Sequence, residues 1–110
     1  MPCGFVVTLN NQVIHRYKDI PAPARLRRYF DEMDQYMESG VQLGEAFIKQ
    51  PSSHQRQQYV AMDLIHCIEK KDLQTVEVLS AYLMKRNPEL TEINVMSKDD
   101  MFSMTLITKE

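Results

Sequence analysis

Tryptophan is absent from this chain of 110 residues, glycine occurs three times, cysteine twice, and charge of neither sign prevails, the net being -2. Each scarcity excludes something. Three scattered glycines build neither the GxGxxG turn nor the GxxxxGK[ST] loop that cradles nucleotide phosphates. Cys3 and Cys67 form no CxxC pair and no zinc-ligand spacing. Cys67 falls inside a helical apolar pattern, where a free thiol acts as a small hydrophobe, so a reducing, cytoplasmic setting is expected. His15, His54 and His66 are scattered without HxxxH or HExxH spacing, and neither a metal nor a cofactor is expected. The opening MPCGFVVTLNNQ lacks the basic and apolar regions of a secretory leader. No run approaches the ~20 apolar residues that cross a bilayer.

What is present is ordinary in amount. With 44% hydrophobic and 25% charged residues, the chain fits a single globular domain over 1–110. Its clearest signal lies in residues 57–86. Val60, Leu64 and Ile68 recur at helical spacing, flanked by Ala61 and Ile65, and a second stripe runs through Leu73, Val76, Leu79 and Leu83, with Ser80 on the same side. Glu69, Lys70 and Lys71 interrupt the pattern, and Asp72 is placed to cap a new helix. Two antiparallel helices follow. A further helix is predicted from Ala24 to about Ser39 on Leu26, Phe30, Met33 and Met37, introduced by Pro21 and Pro23 and stopped by Gly40. Its arginines sit at the positive end of the macrodipole, which predicts i,i+4 pairs of Arg27 with Asp31 and Arg28 with Glu32.

Hairpins are expected at both ends. The β-branched and aromatic residues of 4–17 flank Asn10-Asn11, a dipeptide tolerant of the positive φ of a two-residue turn. Simple pairing sets Leu9 against Gln12, Val7 against Ile14 and Phe5 against Arg16. The second hairpin turns at Ser97 to Asp100 and sets Met96 against Met101, Val95 against Phe102 and Ile93 against Met104. Residues 41–51 read as a loop pinning Leu43 and Phe47 into the core. The expected fold is α+β, in the order ββαααββ, with two β-hairpins forming one antiparallel sheet and three helices packed on one face. That leaves Val6, Val13, Met96, Met101 and Ile107 on the second face, a surface for a partner and plausibly for another copy of the chain.

Catalytic raw material is sparse. Cys67 and His66 are sequence neighbours on a helix, pointing ~100° apart, and cannot form a pair. A small-ligand or enzyme pocket between sheet and helices, near His66 and Tyr82, is one alternative. Charge offers another. Through Arg28 the chain carries Arg16, Lys18, Arg25, Arg27 and Arg28 against Asp19 alone, a balance of +4, whereas the remainder carries eight bases and fourteen acids, a balance of -6. The basic cluster would serve a nucleic-acid-binding regulator, or answer acidic protein surface. The leading expectation is a small non-catalytic cytoplasmic protein acting through protein-protein contact and self-associating as a homodimer. Its candidate contact residues are Arg16, Lys18, Arg25, Arg27, Arg28, Val6, Val13, Met96 and Met101.

Overall fold

A computed structural model describes residues 4–18, 24–99 and 101–109. The chain runs β1 (Gly4–Leu9), β2 (Gln12–Lys18), α1 (Ala24–Glu38), β3 (Val41–Leu43), β4 (Ala46–Ile48), α2 (Ser53–Lys70), α3 (Leu73–Arg86), β5 (Leu90–Lys98) and β6 (Met101–Thr108). It is an α+β protein, with three helices and six strands among the described residues. The Pro21 and Pro23 connector lies outside the described residues.

Four strands form one sheet in the order β2-β1-β5-β6. Each hairpin is antiparallel, but β1 and β5 run parallel, so the expectation of an all-antiparallel sheet is corrected at its centre. Burial explains the choice of neighbours. Val7, Ile93 and Val95 are shut off from solvent, and the two strands that carry them, β1 and β5, lie side by side at the middle of the sheet, with the charge-bearing β2 at one edge. Phe5, Val7, Tyr17, Ile93 and Val95 lie on one face and form a single cluster with Phe30 and Met37 of α1, Val60 and Leu64 of α2, and Val76, Leu79 and Leu83 of α3. Fully burying side chains of this size stabilises by roughly 1.5–3 kcal/mol each.

Both hairpin registers differ from simple pairing. Asn10 and Asn11 do form the first turn, both with positive φ. A bulge between Val7 and Thr8 then leaves Ile14 as an extra residue of β2, so Thr8 meets Val13, Val7 meets His15 and Phe5 meets Tyr17 rather than Arg16. The bulge brings an aromatic pair together, with Phe5 and Tyr17 centroids 5.6 Å apart, and turns Arg16 to the other face. In the second hairpin Lys98 pairs with Met101, Met96 with Ser103, Val95 with Met104 and Ile93 with Leu106. This is a slip of two from the expected pairing. Because side chains alternate with period two, it changes every partner and leaves every face intact.

Residues 41–51 are a correction too. They hold the small hairpin β3-β4, in which Val41 pairs with Ile48 and Gln42 with Phe47. Alternation buries Val41 and turns Phe47 outward, 57% exposed. Leu73 is likewise not part of the α3 core stripe but 72% exposed, since it opens the helix where nothing covers it. Helix signals hold better. Ser52 caps α2 in a capping box with Gln55, and Asp72 caps α3 by accepting from the Thr75 N–H. Lys71 between them takes the left-handed conformation, its N–H donating to the last carbonyls of α2. No helix among the described residues is long and apolar enough to cross a membrane.

Gly40 ends α1 at φ +128, a conformation closed to L side chains, and a Cβ there would strike the Phe47 ring; Gly44 turns β3 into β4 at φ +60 with open space around it. Gly40→Ala is therefore expected to cost about 2 kcal/mol and Gly44→Ala about 1 kcal/mol. Urea denaturation of the two variants checks this, and equal midpoints would contradict it.

Candidate interaction surface

The face of the sheet turned away from the helices can be laid out from the register alone. One row across the strands reads Arg16, Val6, Glu92, Ile107, and the next reads Val13, Thr8, Asn94, Thr105. Met96 and Ser103 continue it, then Lys98 and Met101 at the turn, while Lys18 lies beyond Arg16 opposite Gly4. Val13, Met96, Met101 and Ile107 are between 39% and 78% exposed. The apolar residues expected on this face are there. Its centre is not apolar, however. Thr8 Oγ1 donates to Glu92 Oε2 at 2.7 Å, and Asn94 Nδ2 donates to the same oxygen at 2.9 Å and to Thr8 Oγ1 at 3.2 Å. These bonds hold the Glu92 carboxyl below its ordinary range, Asn94 contributing most and Thr8 next.

Thr8 and the two β5 residues are what sequence reasoning missed. Glu92, Asn94 and Met96 sit two apart and so share a face, a signal present in the chain. Their meeting with Thr8 depends on the parallel β1-β5 pairing, for which no local pattern speaks.

Of the candidate contact residues, the sheet brings Arg16, Lys18, Val6, Val13, Met96 and Met101 to one face. Arg25, Arg27 and Arg28 belong to α1, where all are exposed. Arg28 approaches Glu32 at 3.6 Å, as its spacing predicts, with both side chains largely in solvent. The expected Arg27 partner, Asp31, instead lies 3.5 Å from Arg86 Nη2. The reason is a stronger centre next to it. Arg86 Nε and Nη2 donate to Asp34 Oδ2 at 3.0 and 2.7 Å, Tyr82 Oη donates to Asp34 Oδ1 at 2.5 Å, and the Arg86 guanidinium lies over the Tyr82 ring at 5.2 Å. Burial, then the bond to Asp34, pushes the Tyr82 hydroxyl well above its ordinary range. This group clasps α1 to α3, with Arg56 Nη1 of α2 3.6 Å from the same carboxylate.

Neither His66 nor Tyr82 lines either of two cavities that the described residues form. Tyr82 is 1% exposed and His66 is out in solvent. One cavity, of about 320 Å³, lies between α1 and α2, lined by Tyr29, Tyr36, Tyr59 and Asp63, and the other, of about 310 Å³, lies beside Arg27, Phe30 and Arg86. Cys67, Ser80 and His15 are engaged in packing. Cys67 is buried and free, its thiol pushed up by burial, then by Asp63 and Asp72. Ser80 Oγ and His15 Nε2 lie 3.3 Å apart, a spacing a nucleophile and its base would have, but Ser80 is 0% exposed and no reactant reaches it. The pair joins α3 to β2. No group of His, Cys, Asp and Glu suited to a metal occurs among the described residues.

Compared with protein-family models, curated proteins and solved structures, the chain matches none.

Burial lowers the His15 pKa, and the nearby Glu77 charge opposes that shift only in part. The folded protein thus disfavours the proton that the unfolded chain binds near pH 6.5. Stability from neutral His15 is complete above that pH and declines as the pH falls towards the folded value. Urea midpoints are expected to drop between about pH 7.5 and pH 5, and His15→Gln to flatten that drop. An unchanged slope in the variant would contradict the assignment.

Proposed function

We propose that the protein is non-catalytic and works through protein-protein contact, associating with a second copy of itself through its sheet. The observation that carries this reading is the bare face of the four-stranded sheet, with Val6, Val13, Met96, Met101 and Ile107 set around a polar centre and the helices packed behind. A sheet that ends in solvent on one face and two edges is ordinarily covered, charged or paired. The engagement of His15 with Ser80, and of Tyr82 and Arg86 with Asp34, supports the same reading, because the groups best suited to chemistry serve packing. The buried free thiol of Cys67 fits a reducing compartment, so a cytoplasmic location belongs to this proposal.

Sedimentation equilibrium over a dilution series, at low and at high salt, tests it. A dimer that dissociates on dilution and responds weakly to salt is expected, since the apolar positions, not the arginines, carry the contact. A monomer at tens of micromolar in both salts would contradict it. If mixing with single-stranded or duplex nucleic acid gave a strongly salt-dependent complex that Arg27→Ala with Arg28→Ala abolishes, the arginine cluster would take over the functional reading.

A further inference from the structure

The two edges of the sheet are unlike. β2 is defended as natural edges are, by a bulge at Ile14 and by the charges of Arg16 and Lys18. β6, MFSMTLIT, runs eight residues without a charge, a proline or a glycine. An edge of that composition is a template for another strand.

Its free hydrogen-bonding groups can be assigned. The Val95 carbonyl accepts from Asn10 N–H, and the Ser97 N–H donates to Asn10 Oδ1, so these residues turn their main chain towards β1. Glu92, Asn94 and Met96 therefore turn theirs towards β6, where they meet Ile107, Thr105 and Ser103. The Lys109 N–H, donating to the Glu89 carbonyl, shows the same parity. The N–H and C=O groups of Phe102, Met104 and Leu106 consequently point outward from the sheet.

The order of side chains adds the second element. Read from Met101 to Ile107, the strand is apolar, apolar, polar, apolar, polar, apolar, apolar, the same in either direction about Met104. We propose that β6 pairs antiparallel with β6 of a second copy about a two-fold axis at Met104, joining two four-stranded sheets into one of eight. This rests on the self-association reading and moves its contact from the bare face to the β6 edge of the same sheet. The axis sets Met101 against Ile107 of the second copy, Phe102 against Leu106, Ser103 against Thr105 and Met104 against itself. Apolar meets apolar and hydroxyl meets hydroxyl at every position. Phe102, Met104 and Leu106 are the residues whose main chain faces outward, so these pairs exchange the ladder bonds, about six in all. Beyond the strand, the same axis brings Asp99 in the turn of one copy towards Lys109 of the other. No neighbouring register does as well. An axis at Thr105 would oppose Ser103 to Ile107 and Phe102 to Thr108; an axis at Ser103 would oppose Met101 to Thr105. A slip of one would turn side chains of the two copies to opposite faces. In the joined sheet both sets of helices lie on one side, and the bare face is doubled.

Ser103 and Thr105 are exposed, so charges placed there test the register while sparing the core. Ser103→Glu with Thr105→Glu opposes like charges twice across the axis and is expected to raise the dimer dissociation constant roughly tenfold. Ser103→Lys with Thr105→Glu opposes unlike charges twice and is expected to restore dimerisation to within about threefold of the unaltered protein. Sedimentation equilibrium reads both, with circular dichroism checking that each is folded. If both variants weaken the dimer equally, packing through the bare face replaces edge pairing. If neither does, β6 is not the interface. A monomeric unaltered protein would overturn the self-association reading itself, which separates its failure from that of the register.

Discussion

The parallel contact between β1 and β5 is the constraint on which the structure turns. It joins residues more than eighty positions apart, as in the bond from Thr8 to Glu92, and it buries Val7, Ile93 and Val95 completely. Adjacent parallel strands cannot be linked by a tight turn, so the chain between them must cross over, and α1, α2 and α3 are the material of that crossing. The same contact decides what is left over. With β1 and β5 at the centre, β2 and β6 become edges, and one face of the sheet receives the helices while the other stays bare.

Polar groups inside this arrangement orient its layers. Asp34 receives Tyr82 from α3 and lies beside Arg56 of α2, and Phe30 meets the Tyr82 ring edge-on at 5.8 Å. Breaking a partly buried pair of this kind leaves an uncompensated charge, so the group limits how α1 can sit on α3 more than it adds net stability. Ser80 and His15 do the same between α3 and the sheet. On the bare side, the ring of Thr8, Glu92 and Asn94 ties β1 to β5 from the solvent face, and being charged it discourages indiscriminate apolar packing there.

Much of this was legible in the residues, and the illegible part has a physical cause. The helices announced themselves through Val60, Leu64, Val76, Leu79 and Leu83 and through the Asp72 cap, because helical signals are local. The Asn10-Asn11 turn was local as well. Sidedness in the strands survived a wrong register in the second hairpin, since Phe102, Met104 and Leu106 keep their face under a slip of two. What a sequence alone does not display is the pairing of distant strands. The parallel β1-β5 contact, the bulge at Ile14 that trades Arg16 for Tyr17 opposite Phe5, and the polar centre at Thr8 all follow from tertiary packing. Residues 41–51 were misread because two three-residue strands are too short for alternation to declare itself. For the candidate contact surface, Val6, Val13, Met96 and Met101 were identifiable by alternation; the contrast between the guarded β2 edge and the unguarded β6 edge required the strand order.

The proposed self-association should reveal its interface in the amides. Residue-resolved hydrogen exchange, compared between dilute and concentrated protein, is the most direct measurement. Edge pairing predicts that protection rises with concentration at the Phe102, Met104 and Leu106 amides, while Ser103 and Thr105, already bonded to β5, change little. Protection at those three positions that is indifferent to concentration would contradict the account.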